Sequence, residues 1–233
     1  MYHFMTKDEY FSALNVQDID AALLETRSMG LKHIQDACIL HLLTSLSARK
    51  VAEIGGGHSR VLPYLAAKGW ECWNIDPLEG EGLGPRTVKA QPGVSTLRCA
   101  LGAFSPLIQD EFFDTVFSIS VIEHIGNNNI ENFFKDIFRI MKYGSISYHA
   151  IDVYLEDDEV IETTQRNFFV LEAALNAGFS LLCDEQSPEV SFQCRFATNP
   201  DLAIRHWNKI APQLIRKRLY SQSVSLLLGV VKI

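Results

Sequence analysis

The chain has 233 residues, of which 47% are hydrophobic and 10% aromatic, and its formal net charge at pH 7 is −7. This composition suits one globular domain with an elaboration and excludes a largely disordered chain. The acidic balance disfavours nucleic acid as the main partner, because phosphate binding requires a basic surface.

The cysteines and the N-terminus bear on location. Five cysteines, an odd number without a Cys-x-x-Cys pair, occur along the chain: Cys38, Cys72, Cys99, Cys183 and Cys194. This pattern favours free thiols in a reducing compartment over a disulfide framework or a zinc site. Neither a signal peptide nor an apolar stretch of about 20 residues, long enough to cross a bilayer, is evident. We therefore predict a cytoplasmic protein with no membrane partner.

Residues 1–48 are predicted to form an N-terminal helical cap, followed by a main domain over 49–233. Thr6 and Glu9 have the spacing of a capping box, in which each side chain bonds the backbone N–H of the other. Apolar residues then recur at helical spacing as far as Leu42.

Strands alternate with helices from residue 50 onward. The predicted strands cover 50–54, 71–75, 94–97, 114–118, 145–151, 179–183 and 223–232. The predicted helices cover 60–68, 129–141 and 160–177, and a further partly helical stretch covers 201–219. This alternation predicts an α/β fold with a seven-stranded, mostly parallel, doubly wound sheet.

The first strand of the main domain ends in a glycine turn, Glu53-Ile54-Gly55-Gly56-Gly57. In an open parallel sheet, ligands bind beyond the carboxyl ends of the strands, and glycines allow close approach of the backbone. A dinucleotide fingerprint would require a third glycine where Arg60 stands, which disfavours a nicotinamide-dependent oxidoreductase. A Walker motif is also missing, since no Gly-Lys-Ser/Thr follows.

Asp76 ends the second strand, about 20 residues after the glycines, at the spacing of a carboxylate that binds the hydroxyls of a ribose. A carboxylate can accept two hydrogen bonds at once, which suits a vicinal diol. The alternative is a turn cap before Pro77.

Ordered blocks over residues 50–183 resemble the class I S-adenosylmethionine (SAM)-dependent methyltransferases. The blocks are Val51–Gly57, Trp73–Asp76, Phe113–Ile125, Phe138–Gly144 with the strand that follows, and Ala177–Phe179. The resemblance implies a Rossmann-like methyltransferase fold, SAM as cofactor, and methyl transfer as the activity.

Residue by residue, the resemblance implies a cofactor site made of Glu53, Gly55, Gly56, Gly57, Asp76, Pro77, Gly102, Ala103 and Ser118. The glycine turn would line the methionine end, Asp76 the ribose and Pro77 the adenine, while Ser118 would lie beneath the sulfonium. Gly102 stands where the family usually has an acid for the adenine amino group. Backbone groups there, with Leu101 or Phe104, would then hold adenine.

Three candidates for a general base lie near the ends of the fourth and fifth strands: His124, Asp152 and His149. A base is needed only for a protonated acceptor. Strand alternation places Asp152 and His149 on opposite faces, so Asp152 is better placed and His149 reaches the cleft only if the chain bends. Each has a structural alternative. A metal site including Asp157 is a further alternative, although no metal is predicted.

The acceptor is predicted to be a small molecule, with O-methylation of a natural product or sugar as the preferred reaction. It would bind between the N-terminal helices and the segment 186–222, which carries Phe192, Phe196, His206, Trp207 and Tyr220. Two alternatives stay open: a SAM-binding protein without transferase activity, and a methyltransferase acting on protein or RNA.

Overall fold

A computed structural model describes residues 1–5, 7–15, 31–79, 85–155, 160–183, 186–187 and 222–233. The strands are β1 (Tyr2–Phe4), β2 (Lys50–Ile54), β3 (Glu71–Ile75), β4 (Val94–Leu97), β5 (Phe113–Ile119), β6 (Met141–Leu155), β7 (Phe179–Leu181), β8 (Gln186–Ser187) and β9 (Gln222–Lys232). The helices are α1 (Lys7–Leu14), α2 (Leu31–Thr44), α3 (Val61–Ala67), α4 (Asn127–Ile140) and α5 (Val160–Asn176), with a 3₁₀ turn at Ile122–His124.

The strands form one sheet in the order β4-β3-β2-β5-β6-β9-β1-β8, with β7 also beside β9. The neighbours from β4 to β6 are parallel, and β9 is antiparallel to β6. The carboxyl ends of β2, β3, β5 and β6 therefore share one edge of the sheet, where ligands bind in open α/β folds. This confirms the predicted Rossmann-like methyltransferase fold.

The described part of the sheet has two strands more than predicted, because β1 and β8 join it. Tyr2–Phe4 pairs with Leu226–Leu228 of β9, and the Met1 carbonyl accepts a hydrogen bond from the Gly229 N–H at 2.8 Å. Three residues are too few to show the alternation by which strands are predicted. The domain boundary at residue 48 stays a prediction, although the first residues of the chain belong to the main sheet.

Two apolar layers cover the sheet, one on each face. Helix α4 buries Ile130, Phe134 and Ile137 on one face, where α5 also packs. Helices α2 and α3 bury Leu40 and Leu62 on the other face. This is the doubly wound arrangement that the alternation predicts. Within the described ranges, every helix is too short or too polar to cross a bilayer.

Candidate active site

The backbone conformation of the glycine turn after β2 is fixed by close packing and by a hydrogen bond. Gly55 has φ +64°, and a Cβ added to it would lie 2.8 Å from Cγ2 of Val121. Gly57 has φ +50°, and its N–H donates to Oδ2 of Asp76 at 3.0 Å. These positions favour glycine because other residues are strained in the left-handed region. A side chain at Gly55 would therefore collide with Val121.

Glu53 lies beside this turn as a buried acid, with its side chain 5% exposed. Its Oε2 atom has no hydrogen-bond partner among the described residues. Burial raises the pKa of Glu53 to about 7, although Ser59 and Arg60 lower it in part. A buried, unpartnered carboxylate oxygen fits a cationic group of a ligand, such as the ammonium group of the methionine part of SAM.

Asp76 is buried at the end of β3 and faces the glycine turn. Its Oδ2 accepts from Gly57, and its Oδ1 accepts from the N–H of Leu78 at 2.8 Å. Asp76 thus caps its own turn, which was the alternative interpretation. Each carboxylate oxygen still has a second lone pair, so ribose hydroxyls can donate to it as well. Pro77 lies next to it and is partly buried.

The loop predicted to hold adenine is fastened to helix α4. The N–H groups of Gly102 and Phe104 donate to Oδ2 of Asp136 at 2.8 and 2.9 Å. Arg139 binds the other oxygen of Asp136. This corrects the expectation for Gly102, because its N–H is already used by a buried carboxylate. Ala103 is exposed.

Ser118 and His149 form a buried pair on the adjacent strands β5 and β6. Both are completely buried, and Ser118 Oγ lies 2.8 Å from His149 Nδ1. His149 Nε2 lies 2.8 Å from Ser147 Oγ, which donates to the Val116 carbonyl. Nε2 therefore donates to Ser147, and Nδ1 accepts from Ser118. Burial lowers the pKa of His149 to about 3.

The structure thereby corrects two expected positions. The resemblance implies Ser118 beneath the sulfonium, and His149 is expected in the cleft if the chain bends. Both lie in the core instead, where the ring centroids of Phe134 and His149 are 5.6 Å apart with perpendicular planes. The alternation along β6 holds through this point, so His149 stays on the face opposite Asp152.

Asp152 faces helix α2 and is held in a polar network. Its Oδ1 accepts from Gln35 Nε2 at 2.6 Å and from Ser120 Oγ at 2.7 Å. Gln35 is completely buried and also donates to Ser225 Oγ at 3.1 Å. Ser120 has φ +54°, which turns the chain sharply at the end of β5. Within the described part of the chain, Oδ2 of Asp152 has no hydrogen-bond partner, so it is open to a ligand.

The 3₁₀ turn after β5 presents Glu123 and His124 differently. The His124 side chain is 64% exposed and lies 3.9 Å from a Glu123 oxygen. Both carboxylate oxygens of Glu123 are shielded from solvent and have no hydrogen-bond partner in the described ranges. Burial, followed by the charge of Asp152, raises the pKa of Glu123 to about 8. Arg166 holds this turn by donating to the carbonyls of Ile122 and Ile125.

Helix α2 joins these groups into one site. Arg60, beside the glycine turn, forms an ion pair with the buried Asp36. The charge of Lys32 lowers the pKa of both Glu53 and Glu123. Both acids therefore lie within reach of the Lys32 charge at the start of α2.

Sequence reasoning missed Gln35, Asp136 and Glu123 as members of this site. Glu123 stands next to His124 in the block Phe113–Ile125 that resembles the family, so the sequence carries a signal for it. The other two lie within amphipathic helices, where a polar residue is usually solvated. Among the described residues no group of three His, Cys, Asp or Glu side chains could hold a metal ion. Asp157 and the aromatic residues of segment 186–222 lie outside them.

Comparison with known proteins agrees with this fold. Residues 52–148 match the family model described as a methyltransferase domain. No curated protein sequence matches the chain. The fold is similar to geranyl diphosphate C-methyltransferase from Streptomyces coelicolor, at 10% identity, 97% coverage of each chain and a TM-score of 0.56. It is also similar to Haemonchus contortus phosphoethanolamine N-methyltransferase 2, at 16% identity, 96% coverage of this chain, 60% of that chain, and a TM-score of 0.52.

The fold and the glycine turn define a Rossmann-like enzyme that binds a nucleoside-containing cofactor. Residues 52–148 match a methyltransferase domain, and the chain is a SAM-dependent methyltransferase whose cofactor is SAM. The described residues fit this cofactor, since they provide the glycine turn at residues 55–57, the unpartnered oxygen of Glu53 and the carboxylate of Asp76.

Proposed function

We propose that this methyltransferase acts on a small molecule bound at the carboxyl ends of β5 and β6. The observation that carries the proposal is the polar cluster of Gln35, Ser120 and Asp152 between α2 and the ends of β5 and β6. In this cluster one oxygen of Asp152 is held and the other has no hydrogen-bond partner among the described residues. A polar cluster between a helix and two strand ends suits a small acceptor better than a macromolecular surface. The acidic composition also disfavours RNA as the acceptor.

The cofactor would lie across the glycine turn. Glu53 would bind the ammonium group of its methionine part, Asp76 would bind the ribose, and Pro77 would lie against the adenine. When bound, SAM supplies a methyl group already activated by the positive sulfur. The chain therefore contributes mainly by orienting the acceptor and excluding water.

Asp152 is the best-placed base if the acceptor must lose a proton. Gln35 and Ser120 fix its Oδ1, so its open Oδ2 is held in one orientation. His124 is a weaker candidate because its ring is largely exposed. His149 has no contact with this space, since it is buried on the other face of the sheet.

The atom that receives the methyl group is a separate question. The two similar structures are named as a C-methyltransferase and an N-methyltransferase, and their names do not choose an atom for this chain. The sequence-based prediction of an oxygen acceptor, in a natural product or sugar, stays a prediction, as does the cytoplasmic location. An oxygen acceptor would use Asp152 as the base.

The test combines binding with transfer. The purified chain is titrated calorimetrically with SAM, then incubated with methyl-labelled SAM and a metabolite extract, an RNA fraction or a protein fraction. We expect SAM binding and label in the small-molecule fraction. Label only in RNA or protein would favour the macromolecular alternative. SAM binding without transfer to any fraction would favour a binding protein.

A further inference from the structure

We infer that the methyl acceptor is a primary or secondary amine, bound as its ammonium ion between Glu123 and Asp152. This inference rests on the proposed function and adds the chemical class of the acceptor. It places the positive acceptor beneath α2, next to the glycine turn that Val121 closes.

The first support is the buried carboxyl group of Glu123. Its two oxygens are shielded from solvent and lack hydrogen-bond partners in the described part of the chain. A buried polar group without a partner is destabilising, and natural proteins keep such groups mainly where a ligand completes them. An ammonium ion, with up to three N–H donors, supplies the missing partners.

The second support is the position of Asp152. The 3₁₀ turn that carries Glu123 packs against β6, and the charge of Asp152 raises the pKa of Glu123, so the two acids lie close together. Gln35 and Ser120 occupy Oδ1 of Asp152, and Oδ2 is open. One ammonium ion can therefore bind an oxygen of each acid. Two ionised carboxylates this close would repel each other, and a cation between them offsets that repulsion.

The third support is the sign of the charges that surround Glu123. Within the described ranges, the charged or titratable groups that face it are Lys32 of α2, Arg166 of α5, Asp152 of β6 and His124 of the same turn. The Arg166 guanidinium already donates hydrogen bonds to the carbonyls of the turn, and the His124 side chain is largely exposed. Among the described residues, an anionic acceptor would meet two acids and one cation that is not engaged elsewhere, Lys32, so the site favours a cation.

The chemistry also fits a cation. The ammonium ion first gives one proton to Oδ2 of Asp152, which leaves a neutral amine with a lone pair. That lone pair forms the new N–C bond with the methyl carbon, and the electrons of the breaking C–S bond stay on sulfur. The product is a methylammonium-type cation, so the acceptor keeps its single positive charge before and after transfer, and the same two acids can hold it.

Binding should also move a proton. A cation beside Glu123 favours its ionised form, so the carboxyl group, which is largely protonated at neutral pH, releases a proton when the acceptor binds. A neutral alcohol would not cause this release. The number of protons released when the acceptor binds therefore distinguishes an amine from the hydroxyl acceptor that the sequence predicts.

The test measures Glu123 directly. The full chain, with ¹³C-labelled Glu side chains and saturating S-adenosylhomocysteine, is titrated with methylammonium, ethanolammonium and benzylammonium chlorides. The Glu123 carboxyl signal is assigned by its loss in Glu123→Gln. We expect at least one of these ions to lower the titration midpoint by about one pH unit or more, a tenfold preference for the ionised form. The alcohols of the same skeletons, potassium chloride and sodium acetate should leave it unchanged.

Variants separate this inference from the proposed function. Glu123→Gln and Asp152→Asn should each weaken ammonium binding by about 10- to 100-fold, as expected for lost hydrogen bonds to a charged group. Glu131→Gln, which removes an exposed acid of α4, should have no effect. A midpoint unmoved by all three ammonium ions, or moved equally by the alcohols, would overturn the inference. Failure of S-adenosylhomocysteine to bind would instead count against the proposed function.

Discussion

Arg60 and Asp36 form a two-pronged ion pair that joins helix α2 to the glycine turn. Nη2 of Arg60 donates to Oδ1 of Asp36 at 3.0 Å, and Nε donates to Oδ2. Asp36 is almost completely buried, whereas Arg60 is partly exposed. The residue that stands in place of a dinucleotide-binding glycine therefore anchors the helix that covers the site.

Arg60→Gln should destabilise the protein by about 2–4 kcal/mol, because it leaves the buried Asp36 carboxylate without its cation. The measurement is urea unfolding near neutral pH. Lys135→Met is the matched control, since it breaks the exposed Glu131–Lys135 pair and should cost at most about 1 kcal/mol. Equal effects of the two variants would mean that the Arg60 pair contributes no more than a surface pair.

His149→Phe tests whether His149 is structural. The variant keeps a ring in the core but leaves the hydroxyls of Ser118 and Ser147 without that partner, which should cost about 1–3 kcal/mol. We expect kcat per folded molecule to stay close to that of the wild type. A folded variant that binds S-adenosylhomocysteine normally but has lost turnover would instead support the predicted catalytic role.

Glu123 should make the protein less stable as the pH rises. Its pKa is about 8 in the folded state, against a usual value near 4.5, so the folded state binds more protons between these values. Its contribution is therefore fully present below pH 4.5 and is lost as the pH rises through 8, at a slope of at most about 1.4 kcal/mol per pH unit. Unfolding free energies of the wild type and Glu123→Gln at several pH values measure this loss. Parallel pH profiles would contradict it.

Gly102→Asp would install the acid that the family usually has near adenine. Gly102 has φ +92°, and a Cβ there would lie 3.2 Å from the backbone nitrogen of Phe133. The new carboxylate would also approach Asp136, to which the Gly102 N–H donates. We expect a loss of about 1–3 kcal/mol in stability from the strained backbone and no gain in SAM affinity. Calorimetric titration with SAM checks this, and tighter binding would show that the loop accepts the acid.

The parts of the fold that depend on local pattern could be predicted from the sequence. Seven strands were predicted within a few residues of their observed bounds, because apolar runs bounded by glycine, proline and polar residues are local signals. The alternation that separates Asp152 from His149 was also predicted correctly. Predicting these features requires only the spacing at which side chains recur on one face of a strand or helix.

The parts that depend on long-range contacts could not be predicted. Asp136 binds a loop more than 30 residues away, and Gln35 binds Asp152 over a separation of 117 residues. In the sequence, both look like ordinary polar residues of a helix. The resemblance implies that Ser118 lies in the site, but the face that its side chain presents depends on how α4 packs against the sheet.

The most direct test of the central claim is calorimetric titration of the purified chain with S-adenosylhomocysteine, with NAD as the comparison. We predict that S-adenosylhomocysteine binds with one site per chain, and that Asp76→Ala weakens this binding by about 10- to 100-fold through loss of the ribose contact. NAD should not bind. Binding of NAD without any binding of S-adenosylhomocysteine would contradict the account.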